Sequence, residues 1–434
     1  MRYAILIAVF FLMTGCGGCS SGGVGDPCRP SDSPPCDEGL VCVADEAGEN
    51  TCRIPAGAAC DLKKEKQCET GSSCFEQEDG SGRCLVTRGG NCSIDQPHCA
   101  NGLVCAETNA GARCYNPVVL RGVVFDAEDL DAIEGAHVIG FNEEGSAVTD
   151  IAVSAADGIY ELSLPARRDD EGKPERQFFT LRASAQDYQT FPGGIRAALP
   201  IDASTATSDE NNWVIDTAQT DIALLILAAG ERGNASISGR IHASDARVDG
   251  VLVVAEGNGA GISGISDLTG HYRIFNVPSG SYDVRGYAAD LQLDSTAASV
   301  GGDDLTGVDL HQSSDGLADA VGQVQIVAAH GSLRTSVVFI VASTFDEVSV
   351  RGEVPVGLRA PRYGTGDING EWRIEGVPAG DYVVLAGFEN DELVRDPDEN
   401  IAGTGIVRVT VPARSGDFQV GDSFKVTSAL ATVS

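Results

Sequence analysis

Fourteen cysteines fall within the first 114 residues, and the remaining 320 have none. Twelve of them repeat at fixed spacing: Cys28-x7-Cys36-x5-Cys42-x9-Cys52, then Cys60-x7-Cys68-x5-Cys74-x9-Cys84, then Cys92-x6-Cys99-x5-Cys105-x8-Cys114. The first cysteines of successive units lie 32 residues apart. Glycines keep the same register. Gly25, Gly57 and Gly89 precede each first cysteine by three, and Gly39, Gly71 and Gly102 precede each third cysteine by three. A unit of ~30 residues buries too little apolar surface to hold a fold unaided, so each needs covalent staples. An even cysteine count in an exported chain reads as a disulfide framework, each bridge stabilising by ~2–4 kcal/mol. Four cysteines per unit allow three pairings, and spacing does not choose among them. Metal binding is disfavoured: within the repeats no two cysteines are spaced CxxC, and His98 is the only histidine. Residues 25–117 are therefore read as three disulfide-rich repeats with no metal.

The start of the chain reads as an export signal over residues 1–15. Arg2 supplies a positive n-region, and residues 4–13 form an apolar stretch too short to span a bilayer. It ends in Met13-Thr14-Gly15-Cys16. Small residues before a cysteine resemble the bacterial lipobox, which implies lipid on Cys16 and residues 16–24 as a tether. Gly17 after that cysteine, by the same resemblance to bacterial lipoproteins, implies the outer membrane. The CxxC of Cys16 and Cys19 sits at this processing site and runs into Ser20-Ser21-Gly22-Gly23, a flexible stretch rather than a redox or zinc context. The cysteine repeats themselves look like those of exported bacterial lipoproteins, and they resemble the Dickkopf-type cysteine-rich motif in spacing alone.

Beyond Pro117 short β-rich stretches alternate with Gly, Asp, Asn and Pro, which predicts an all-β architecture of sandwich modules. A second repeat lies here. Asp267-x-x-Gly270-x-Tyr272-x-Ile274-x-x-Val277-Pro278-x-Gly280-x-Tyr282-x-Val284 matches Asp367-x-x-Gly370-x-Trp372-x-Ile374-x-x-Val377-Pro378-x-Gly380-x-Tyr382-x-Val384. A degenerate copy is Asp157-Gly158-x-Tyr160-x-Leu162-x-Leu164-Pro165. Each copy follows a glycine-led stretch that starts at Gly122, Gly239 or Gly322. Asp and Gly make a turn, the next residues alternate faces, and Pro278 with Gly280 suits a second turn. The motif resembles the carboxypeptidase regulatory-like family, an Ig- or transthyretin-like (Cna-B-like) seven-stranded sandwich. The resemblance implies three tandem β-sandwich modules, at 118–230, 235–314 and 320–434, with a charged insertion around residues 167–176 in the first. It implies a non-catalytic spacer, stabiliser or binding domain. Some Cna-B-type modules carry a Lys–Asn crosslink. Here the only lysines beyond residue 118 are Lys173 and Lys425, neither in a first strand, so no crosslink is expected.

The formal net charge of −33 excludes nucleic acid as a partner, because phosphate neutralisation needs clustered Lys and Arg. No histidine is followed three residues later by glutamate, and no HExxH, GxSxG or P-loop lysine occurs. Gly261-Ile-Ser-Gly264 falls one residue short of a nucleophile elbow, in a glycine-rich stretch read as a loop. His242 with Asp245 reads as a strand-end pair. The acidic segments 126–134 and 391–400 would suit calcium in principle but match no EF-hand loop, and in so acidic a chain they read as solvated loops. Trp372 occupies a core position of the repeat, whereas Trp213 in a polar stretch is the one candidate aromatic platform for a sugar. No cofactor and no catalytic residue is expected. The sequence predicts a non-enzymatic lipoprotein, anchored to the membrane through its N-terminal lipid, outside the cytoplasm at the outer membrane or cell surface. Its expected role is binding or adhesion to a protein or surface polysaccharide. The alternative is a structural spacer or scaffold without a soluble ligand. The 342–370 insertion favours recognition, since inserted loops often carry contacts.

Overall fold

A computed structural model of the chain describes residues 22–427, except 30–35, 45–47, 78–79, 94–97, 101, 144, 194–197, 210–211, 245, 258, 328–331, 349, 366–367, 390–405 and 421–423. Side chains are described for all of these but 324–336, 361–370, 386–389 and 424–427. The proposed signal, Cys16 and Cys19 lie outside the described residues. The chain divides into two compact units.

The first unit holds the cysteine repeats, and the pairing is the same in each. First bonds to third and second to fourth: Cys28–Cys42 and Cys36–Cys52, Cys60–Cys74 and Cys68–Cys84, Cys92–Cys105 and Cys99–Cys114. Third and fourth cysteines face each other across a hairpin, as at Cys42↔Cys52, Cys74↔Cys84 and Cys105↔Cys114. Each therefore reaches away from its opposite number to staple the loop that precedes the hairpin. The register glycines have a physical reason. Gly39, Gly71 and Gly102 have φ of 85°, 83° and 81°, and Gly25, Gly57 and Gly89 have φ of 92°, 84° and 79°. That region is costly for any residue with a Cβ. The backbone N–H of Gly25, Gly57 and Gly89 donates to the carbonyl of the fourth cysteine of its own repeat at 2.7–2.8 Å. Parallel bridges at Ile54↔Cys68 and Val86↔Cys99 stitch successive repeats, and Gly22↔Cys36 is the equivalent bridge from the residues before the first.

This unit also takes in Arg168–Gly172, from the charged insertion read as a loop of the first sandwich. Arg168 is fully buried there. Its N–H donates to Glu107 O at 2.8 Å and its guanidinium to Asn116 O at 2.8 Å. Burial pulls its pKa down to about 10.

The second unit is all-β and contains three sandwiches of one plan. In the second, the strand Ala235–His242 pairs antiparallel with His271–Val277 and parallel with Leu310–His311. The facing sheet runs Ala260–Ile265, Leu252–Gly257, Gly280–Tyr287, Thr296–Val300. The third sandwich repeats this plan, with Ala318–Val327 central in one sheet and Ser332–Val341 beside Gly380–Glu389 in the other. The first does so around Val118–Asp126 and His137–Phe141.

Each glycine-led strand is paired in register with the aromatic of its repeat: Gly122↔Tyr160, Gly239↔Tyr272 and Gly322↔Trp372. Tyr272 and Ile274 are buried on the core side of their strand, while His271 is exposed on the other. The repeat tyrosines reach past the glycine to a backbone carbonyl. Tyr160 Oη donates to Thr220 O at 2.5 Å, and Tyr272 Oη donates to Val308 O. Trp372 is 1% exposed, inside the third core.

The sandwiches share buried surface. Along Leu252–Gly257, Val253 and Ala255 belong to the second core, while Leu252 and Val254 enter the third. That two-sided burial explains the unbroken apolar run at 251–255. Ile139 and Phe141 of the first sandwich likewise cluster with Ile265 of the second.

Candidate functional site

The outer face of the three-stranded sheet in the second sandwich gathers the polar residues that alternate with its core. His271 and Arg273 leave one strand, Arg240 and His242 the next, and His311 the third, with Asp309 just before it. All but His311 border, with His137 from the first sandwich, an open cleft of roughly 620 Å³, while His311 lines a second cleft that shares Arg240 and His242. Four of the chain's six histidines thus gather with Arg240 and Arg273 around this face of an acidic protein.

The geometry is specific. His242 Nε2 lies 3.4 Å from Asp309 Oδ2, and its ring stacks on His311 with centroids 4.9 Å apart and planes 12° apart. Asp309 Oδ1 accepts from the Arg240 N–H at 2.9 Å. Arg273 caps Phe275, 5.6 Å from its ring centroid, and lies 3.8 Å from Asp304. Backbone donation from Ser236 lowers the Asp304 pKa. His137 meets Phe275 edge-on at 4.9 Å. Burial, aided by Arg273, pushes its pKa down to about 4.

Among the described residues, no hydroxyl on this face has a base oriented by a third group. Thr269 Oγ1 lies 2.7 Å from His271 Nδ1, which superficially pairs a hydroxyl with a base. The nearby acid does not orient that imidazole. Asp267 Oδ1 accepts from the Thr269 hydroxyl and from the backbone N–H of Thr269 and His271, so it organises a turn. An activated nucleophile needs its base held by a third group, and that link is missing here.

Several residues singled out in the sequence are placed differently. Asp245, Asp367 and all of 391–400 lie outside the described residues. Gly261-Ile-Ser-Gly264 is not a loop but part of the strand Ala260–Ile265. Ser263 Oγ donates to Glu353 Oε1 at 2.9 Å and accepts from Arg182 Nη2 at 3.0 Å. Trp213 lies in the strand Asn212–Asp216, half-buried against the first core, and is not a free platform. In the acidic segment 126–134, Asp126 is buried. Its Oδ1 accepts from the Glu128 N–H at 2.7 Å, and that donation holds its carboxyl below the usual range. Among the described residues, the only trios of His, Cys, Asp or Glu ligand atoms lying mutually within 4.8 Å are cysteines of the three repeats, and these are in disulfides. Part of the 342–370 insertion is a structural cover: Phe345, Val350 and Val354 pack on Val338, Ile340, Val383 and Leu385.

Two features had no linear signal. One is the union of His242 with Asp309 and His311. The other is a junction of all three sandwiches, where Arg182 donates to both oxygens of Glu353 at 2.7 and 2.8 Å and to Ser263.

No family model matches the chain, and no curated protein matches it. Solved structures with some likeness include the Bacillus anthracis TIE protein, at 10% identity and a TM-score of 0.17, with 90% of this chain and 67% of that one covered. BcpA, the major pilin subunit of Bacillus cereus, has 10% identity and a TM-score of 0.18, with 71% and 99% covered. A streptococcal ancillary pilin has 12% identity and a TM-score of 0.17, with 72% and 99% covered. At such values these likenesses carry no argument about function. Among the described residues no helix is long and apolar enough to cross a membrane, which leaves strand-built crossings unaddressed.

Proposed function

We propose that this chain is a non-catalytic lipoprotein held outside the cytoplasm by lipid on Cys16, and that it acts as a surface binding or adhesion module. The observation that carries the reading is the open His- and Arg-bearing sheet face of the second sandwich, mounted on cores continuous with its neighbours and lacking an oriented nucleophile. A rigid frame with an open polar face suits recognition of a protein or an anionic surface polysaccharide. Six disulfides in small repeats suit an oxidising compartment. Protease shaving of intact cells, read with antibody against residues 235–434, tests the placement. Loss of the epitope without lysis is expected. Protection until the envelope is broken would sink adhesion and favour the second reading, a periplasmic scaffold. The Arg182–Glu353–Ser263 junction recommends that alternative, because it fixes the sandwiches to one another irrespective of any ligand. Replacement of Cys16 by Ser should move the protein from the membrane to the soluble fraction; retention at the membrane would refute the anchor.

A further inference from the structure

We propose that His242, His311 and Asp309 form a binding site for a divalent transition-metal ion of the Zn2+, Cu2+ or Ni2+ class. The inference does not depend on the adhesion reading.

The backbone aligns the ligands. Ala235–His242 and Leu310–His311 pair in parallel with His242 directly opposite His311, so both imidazoles leave the same face at the same level. Asp309 is two residues before His311 and shares that face. The strand ends beneath the rings are pinned: Gln312 N–H donates to His242 O at 2.9 Å, and Asp294 N–H donates to His311 O at 2.9 Å. Asp309 is oriented by the Arg240 N–H on Oδ1, which leaves Oδ2 facing His242 Nε2 at 3.4 Å.

Two imidazole nitrogens and one carboxylate oxygen are a donor set suited to these borderline cations and poorly suited to calcium or magnesium. Three protein donors leave a coordination position open for water or a further ligand. Two nitrogens at ~2.0–2.1 Å from one tetrahedral ion lie about 3.3 Å apart. The stacked rings, with centroids 4.9 Å apart, must close by a side-chain rotation. Both histidines are exposed and have room for that rotation. The three donor atoms are not mutually within 4.8 Å, so the ion assembles the site and micromolar rather than nanomolar affinity is expected. The Arg240 guanidinium is engaged elsewhere: its Nε donates to Thr269 O at 3.1 Å, on the turn that leads into the strand His271–Val277.

The test is calorimetric titration of the full-length chain with Zn2+ and with Cu2+ near neutral pH, alongside His242→Asn, His311→Asn, Asp309→Asn and the double histidine variant. One ion per chain is expected. Each single histidine change should weaken binding at least tenfold, Asp309→Asn should weaken it several-fold, and the double variant should abolish the event. Should a variant fold poorly by circular dichroism, the wild-type Cu2+ electron paramagnetic resonance spectrum decides: hyperfine structure from two nitrogen ligands supports the site, and none overturns it. Absence of binding, or binding unchanged in a folded double variant, also overturns the proposal.

Discussion

A glycine opposite a ring is the smallest unit that decides whether these sandwiches close. At Gly239 a Cβ would collide with the Val308 carbonyl, the acceptor that Tyr272 also uses. Gly239→Ala should therefore destabilise the second sandwich by about 1–3 kcal/mol through overpacking, read as an earlier urea transition. Gly301→Ala is the control, since a Cβ there meets nothing, and an equal loss in both would refute the steric account. His137 provides a pH-dependent contribution. Its folded pKa of about 4 lies below the ordinary 6.5, so between those values the unfolded chain binds the extra proton. Its contribution to stability is intact above about pH 6.5 and declines as pH falls towards 4. His137→Gln should flatten that slope in thermal melts; an unchanged slope would assign it to carboxylates. At this scale the glycines and aromatics were visible as repeats. Their pairing was not, because register is a property of two strands and a motif displays only one.

Strands become informative when both faces are considered. The apolar run at 251–255 is buried on both faces, and nothing in it names the third sandwich as the cover for Leu252 and Val254. The Arg182 junction is the sharper case. It joins residues 171 apart in sequence, Arg182 and Glu353, with side chains 5% and 26% exposed. Arg182→Met removes the guanidinium that donates to both Glu353 oxygens at a packed junction and should cost about 3 kcal/mol. Replacing both, as Arg182→Met with Glu353→Leu, should recover much of that loss. Measured denaturation of the two variants checks this, and a double variant no better than the single would show that the pair itself is net stabilising. A sequence offers no periodicity for an ion pair of this kind, because its members belong to different repeats and answer to shape rather than to a pattern. The 342–370 insertion is a similar case: Phe345, Val350 and Val354 cover a sheet whose exposure no linear motif records.

For the molecule as a whole, covalent and non-covalent stabilisation are segregated. Every cysteine precedes residue 115, so the second unit holds none. Reductant should unfold the repeats and spare the sandwiches, and limited proteolysis after reduction should leave a resistant fragment that begins near residue 117. Loss of the sandwiches on reduction would contradict two independently stabilised units. The repeats were legible as stapled modules but their pairing was not, because spacing permits each connectivity equally. That pairing has a consequence for biogenesis. Bridge partners are 13–16 residues apart, always less than the 32-residue period. A chain threaded amino end first across a membrane would present both thiols of each bridge before the next repeat emerged. Oxidation could then proceed one repeat at a time, with little opportunity for a cysteine to meet the wrong partner.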